Sequence, residues 1–167
     1  MKYFVSACLM GKKCKYNGGD NYDPDLVSLL KDDEIILICP ETMGGLPIPR
    51  NPVELNDNRA LDSDGNDYTF FFLKGVESVI EKSKIENPDA FILQPRSPSC
   101  GFGLIYDGTF SKTLVKGNGL LTQKLLEKGC KIYNPNTFKE ENNHSITCNS
   151  RLNGMPFPIE TECCFLV

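Results

Sequence analysis

Cys8, Cys39 and Cys100 each follow an apolar, β-rich run and introduce a segment crowded with glycine or proline, in "YFVSACLMG", "IILICPETMGG" and "FILQPRSPSCGFG". A thiolate is a soft ligand, and three meeting at one place make a site suited to zinc or an iron–sulfur cluster. Glycine lets backbone pass close to an inorganic ligand, and proline stops a strand from continuing, so each cysteine is expected on a sharply turned loop. Glu41 lies two residues past Cys39, and Ser97 and Ser99 flank Pro98 beside Cys100. The competing reading of any single cysteine is a small buried hydrophobe. That reading fits Cys130, which sits between a helix cap and a strand, whereas the matched positions of the other three favour ligation.

The elements that must carry these residues follow from the apolar pattern. "KYFVSACL", "EIILIC", "DAFILQ" and "CKIYNP" read as strands, the middle two continuous enough to be buried on both faces. Between them lie helical patterns: a short one across Pro24 to Lys31, then "YTFFFLKGVESVIEKSK" with Phe72, Val76, Val79 and Ile80 at helical spacing, then "NGLLTQKLLEKG" closing at Gly129. Gly75 inside the second helix weakens it. The Asp107-Gly108 dipeptide in "GLIYDGTF" marks a tight hairpin. Strand alternating with helix gives an α/β fold, a single three-layer Rossmann-like domain with a mostly parallel sheet and right-handed crossovers. It is expected over residues 1–135, with an irregular C-terminal extension over 136–167, where no periodicity is visible. In a parallel sheet all strand C-termini share one edge, where open α/β sheets bind ligands. Three loops separated by 31 and 61 residues therefore converge there.

Composition narrows the function classes. Eighteen basic against 22 acidic residues leave a formal charge of −4 with no basic run, so duplex nucleic acid is not an expected partner. Eight cysteines in 167 residues are too sparse for a disulfide scaffold, and a chain of this size can bury a core without staples. The apolar stretch before Cys8 is too short for a signal peptide, and no segment approaches membrane-spanning length. The expectation is a reducing cytoplasm, where a cysteine set is metal-binding or catalytic rather than bridging.

Four blocks, "SACLMGKKCKYNGG", "CPETMGGLPIPRNPVE", "DGNDYTFFFLKG" and "SPSCGFGLIYDGTF", stand in an order that resembles the thiouracil desulfidase family, over roughly Met1 to Tyr133. The resemblance implies a [4Fe-4S] cluster held by three cysteines only, which fall on Cys8, Cys39 and Cys100, with its fourth iron open to the sulfur of a thiolated uracil. Gln94 stands where the family often has lysine, and "RNPVE" replaces the more usual "RPPAE".

Three protein ligands and one open position is also, on general grounds, the arrangement of a catalytic rather than a structural metal site. A thiophilic metal can polarise a C–S bond, water must attack the ring carbon, and protons must move. Glu41 is the best-placed proton acceptor, and Ser97 and Ser99 are candidates to orient the ring or relay a proton. The expected reaction is non-redox desulfuration of a small thiolated pyrimidine with release of sulfide. The alternative is a non-catalytic zinc or iron–sulfur module that handles sulfur. Cys14, six residues after Cys8, is either a fourth ligand or a bystander, and Arg50 either an anion anchor or a surface residue. His144 is the single histidine and lies in a polar stretch with Cys148. The terminal "CFLV", which includes Cys164 after Cys163, is a poor match to a prenylation signal.

Overall fold

The computed structural model describes residues 1–150, with side chains to residue 143. In chain order the elements are β1 (Lys2–Ser6), α1 (Pro24–Leu29), β2 (Glu34–Ile38), α2 (Pro40–Met43), β3 (Val53–Asn56), β4 (Arg59–Asp62) and α3 (Thr69–Glu86). They continue with β5 (Ala90–Ile92), β6 (Leu104–Tyr106), β7 (Leu114–Lys116), α4 (Leu120–Glu127), β8 (Ile132–Tyr133) and α5 (Pro135–Ser150). Four of the strands form a parallel sheet in the order β2-β1-β5-β8. β1 sits inside the sheet, and the backbone amides of Phe91 and Leu93 bond across to Lys131 and Tyr133.

Side chains alternate across this sheet and define two cores. Phe4 and Phe91 meet edge to face at 5.3 Å on one side, where Phe72, Val76 and Val79 of α3 and Leu121 and Leu125 of α4 cover them. Tyr3, Val5 and Ile92 point the other way, toward Leu26, Leu30 and Phe138. The result is three layers, with α3 and α4 on one face and α1 and α5 on the other. Among the described residues no helix is long and apolar enough to cross a membrane.

The stretch expected to be irregular opens instead with a helix, α5. Asn134 caps it through Oδ1, which accepts from the amides of Asn136 at 2.9 Å and Thr137 at 3.0 Å, and Pro135 suits a first helical position. Phe138, only 2% exposed, wedges edge-on between Tyr3 and Tyr133 at 5.3 Å from each. Lys139 grips Asp23 with Nζ at 2.7 and 2.8 Å from its two oxygens. Among its described side chains the buried ones are Pro135 and Phe138, too few to produce a helical periodicity, so the apolar pattern does not reveal this element. His144 and Cys148 lie within α5 beyond the described side chains, and Cys163 and Cys164 lie outside the described residues.

Two antiparallel ribbons are added to the parallel sheet. β3 and β4 are joined by Asp57 and Asn58, both left-handed at φ 47° and 62°, the geometry of a two-residue hairpin turn. β6 and β7 pair through Tyr106 and Leu114, so their connection runs from Asp107 to Thr113 and is not a tight turn at Asp107-Gly108. Asp107 instead accepts from the amide and hydroxyl of Thr109 at 3.0 and 2.6 Å.

Gly75 has a role that its effect on helix propensity conceals. A Cβ there would stand 1.7 Å from the carbonyl oxygen of Pro40, and one on Gly44 would stand 2.0 Å from that of Phe71. α2 and α3 therefore touch backbone to backbone, and this fixes the short helix that follows Cys39.

Beyond β4, Asp62 is 2% exposed and collects five hydrogen bonds. Its donors are Asn51 Nδ2, the backbone amides of Asp64 and Asn66, Asn66 Nδ2 and the Tyr68 hydroxyl, at 2.9 to 3.2 Å. The bonds from Asn66 and Asn51 hold this carboxyl far below the usual carboxylate range. A depressed folded-state value contributes stability that is complete above the unfolded value, about pH 4, and drains away as pH falls toward the folded one. Asp62→Asn, which cannot accept from all these donors as a carboxylate does, is expected to be less stable at pH 7. Its urea midpoint should also fall less than that of the parent between pH 5 and pH 2. Parallel acid dependence in the two proteins would exclude Asp62 as a source of acid sensitivity.

Candidate active site

The three cysteines reach one sheet edge by different local routes. β1 ends at Ser6 and passes into a single 3-10 turn, Ala7–Met10, which carries Cys8 and closes at Gly11 with φ 82°. Cys39 follows β2 directly and precedes α2, where Pro40 occupies the first helical position. Cys100 comes eight residues after β5, on a loop backed by α4. The amides of Leu120 and Leu121 bond to the carbonyls of Pro98 and Ser99, and the fully buried Thr122 hydroxyl donates to the carbonyl of Cys100 at 2.8 Å. Gly119 permits this contact, since a Cβ there would lie 2.5 Å from the carbonyl carbon of Ser99.

Cys8, Cys14, Cys39, Cys100, Glu41, Ser97 and Ser99 all line one cleft of about 550 Å³. Cys8 and Cys100 are buried. Cys14 and Cys39 are partly exposed. Burial pushes the Cys100 thiol up to about 12, against a smaller opposing effect of the Ser6 hydroxyl. Contact with Cys14, followed by burial, raises Cys39 well above the ordinary thiol range. For Cys14 itself, contact with Cys39 favours the thiolate but is outweighed by Cys8 and by burial, and its value rises to about 11. Together these side chains make a pocket lined by neutral thiols that would lose their protons on binding a metal group.

The polar residues form a connected chain beside the thiols. Ser99 Oγ donates to Glu41 Oε1 at 3.0 Å, lies 3.0 Å from Ser97 Oγ and is 3.8 Å from Cys100 Sγ. Ser97 Oγ in turn accepts from the amides of Ser99 and Cys100 at 3.2 and 3.1 Å, so it shapes the cysteine loop as well as facing the cleft. The other Glu41 oxygen is taken by Arg50, whose Nε is 2.8 Å away and whose Nη2 also binds it. Arg50 is not a surface residue. Its side chain is 6% exposed, and four of its five N–H donors go to Glu41, the Pro47 carbonyl and the Cys14 carbonyl. Through that last bond, at 3.0 Å, Arg50 fixes the loop of Cys14 against the site. Cys130 takes no part and packs against the core of the α3 and α4 side.

Two contributors were invisible as sequence signals. Asn21 Nδ2 approaches Cys8 Sγ at 3.7 Å, and its own backbone amide bonds to the Cys8 carbonyl. Ser6, 3% exposed, accepts from the amide of Gln94 at 2.9 Å and so ties the end of β1 to the start of the Cys100 loop. A serine at a strand end and an asparagine in a turn are common, and only the converging topology gives them significance. Glu54, Tyr16, Tyr106 and Phe110 complete much of the outer wall.

The donor set fits a multi-atom cofactor better than a single ion. Among the described residues no three His, Cys, Asp or Glu side chains are gathered closely enough to clasp one metal ion. A group bound to Cys8, Cys39 and Cys100 together must itself span the gaps between them, as an iron–sulfur cluster does with thiolate ligands.

A family model described as 2-thiouracil desulfurase matches residues 4–137. An uncharacterized protein of Bacillus subtilis (strain 168), YbbK, is 32% identical over 146 residues, covering 81% of this chain and 97% of the relative. Among solved structures, the [4Fe-4S]-dependent thiouracil desulfidase TudS superposes with a TM-score of 0.78 at 32% identity, covering 83% of this chain and 93% of that one.

Proposed function

Because this chain belongs to the 2-thiouracil desulfurase family, we propose that it is a [4Fe-4S]-dependent enzyme that removes sulfur from thiouracil hydrolytically, giving uracil and sulfide. The observation that carries the reading is the meeting of Cys8, Cys39 and Cys100 with the Ser99–Glu41 pair in one cleft. Cys8, Cys39 and Cys100 would hold the cluster, leaving Cys14 outside the ligand set. A cluster with three protein ligands supplies an exposed thiophilic Lewis acid that draws electron density from a C–S bond.

The chain's own residues supply the proton handling. Arg50 occupies one Glu41 oxygen and leaves the other turned to Ser99. A water placed between Ser99 and the ring carbon adds to that carbon and gives one proton through the Ser99 hydroxyl to Glu41, with Ser97 holding that hydroxyl in line. As the new carbonyl forms and the C–S bond breaks, the second water proton goes to sulfur, which leaves with the bonding pair as hydrosulfide, and Glu41 returns its proton to solvent. No electrons enter or leave the protein. Thiolate ligation and an exposed cluster suit a reducing cytoplasm, and a small pyrimidine suits a cleft of this volume.

A second reading has its own observation. Cys14 lines the same cleft as Cys8, Cys39 and Cys100, so four protein ligands would close the cofactor and leave a sulfur-handling module without turnover. Protein prepared without oxygen should contain about four iron and four sulfide per chain, and should convert thiouracil to uracil with stoichiometric sulfide. Full iron with no sulfide release would favour the closed module, and absence of iron would exclude the enzyme and leave only a zinc-bound module.

A further inference from the structure

The connection between β6 and β7 is bent into the cleft by a backbone that its own residues do not favour. Gly108, Phe110 and Lys112 alternate in the left-handed region, at φ 85°, 59° and 63°. For glycine this costs little, but for a bulky aromatic residue it is strained, and such strain persists only where the surroundings impose it. Here the surroundings include one carboxylate oxygen. Glu54 Oε2, from β3, accepts from the amide of Gly108 and from the amide of Phe110, both at 3.0 Å. Gly108 is pressed so close to β3 that a Cβ would lie 2.7 Å from the Leu55 carbonyl oxygen. Glu54, Phe110 and Lys112 all line the cleft that holds the cysteines.

The held conformation places Phe110, together with the cationic Lys112, on the cleft wall. Tyr16 and Tyr106 also line the cleft, but neither has a left-handed backbone imposed on it. A planar, weakly polar ring is the natural surface for a planar heteroaromatic substrate, because a π face recognises a nucleobase without demanding a particular hydrogen-bond pattern. We propose that Phe110 is the residue on which the thiolated pyrimidine stacks, and that Glu54 is the positioning residue that holds it there. This rests on the thiouracil reading above.

The test uses the cofactor-loaded protein, with thiouracil turnover and binding of uracil, the unreactive product, measured together. Phe110→Ala and Glu54→Ala should each raise KM for thiouracil and Kd for uracil about tenfold, the usual effect of losing one base-stacking ring. Their kcat, iron content and visible spectrum should stay near those of the parent. Glu54→Gln keeps a side-chain oxygen able to accept both amides, so it should restore most of the affinity. The double variant Glu54→Ala/Phe110→Ala should be no weaker than Phe110→Ala alone, because the two residues act as one unit. Unchanged affinity in Phe110→Ala, fully additive losses in the double variant, or loss of iron in Glu54→Ala would each overturn the proposal while leaving the reaction in place. A parent protein that neither binds nor converts thiouracil would instead overturn the functional reading, and this inference with it.

Discussion

Cys8→Ser is expected to abolish both the cofactor and thiouracil-dependent sulfide release, while Cys14→Ser keeps most of each. Cys8 is buried at the strand edge on a turn closed by its own hydrogen bonds, and a serine hydroxyl is a poor substitute for a soft thiolate toward iron. Cys14 lies on a loop beyond the strand end, held by Arg50 on its carbonyl, by its own amide on Lys12 and by packing against the core. Iron and acid-labile sulfide per chain, measured beside turnover on protein purified without oxygen, separate the two residues. Equal loss in the two variants would mean four protein ligands, and the closed-module reading would replace the enzyme.

Glu41→Gln is expected to bind iron and thiouracil nearly as the parent does, yet to turn over on the order of 10²-fold more slowly. Glutamine matches the side chain in size and can still accept from Ser99, while Arg50 keeps the carbonyls of Pro47 and Cys14. What disappears is the basicity at the end of the serine chain. The effect should fall on kcat, since the substituted group is aimed at a proton rather than at the ring. Near-normal turnover would remove this carboxylate from the reaction and direct attention to Ser97 and Ser99.

The placement of Cys8, Cys39 and Cys100 could be read from the sequence because a parallel sheet converts strand ends into a common address, whatever the separation along the chain. Glu41, Ser97 and Ser99 were legible for the same reason, as neighbours of those cysteines. The Arg50–Glu41 pair was not, because the eight residues between them, with Pro47 and Pro49, give no register from which to infer contact. The β3–β4 hairpin was missed because its turn, Asp57-Asn58, lacks the glycine that usually announces positive φ. Conversely, Asp107-Gly108 advertised a turn type that the chain does not use, since the Asp107 carboxylate spends its acceptors on Thr109. In α5 the cap at Asn134-Pro135 was a local signal, but it was masked by a polar helix that relies on Phe138.

The backbone contact of Gly75 with Pro40, and of Gly44 with Phe71, bears on how the protein meets its cofactor. Fixing a residue's backbone costs about 1–2 kcal/mol of conformational entropy. With α2 clamped to α3, that cost for Cys39 and Glu41 falls on folding rather than on cofactor insertion. On the proposed reading the cluster-free protein would thereby be a preorganised receptor along this segment, its affinity undiminished by having to order the loop. A methyl group at residue 75 would reverse the sequence of events, leaving the incoming cofactor to assemble part of its own binding site.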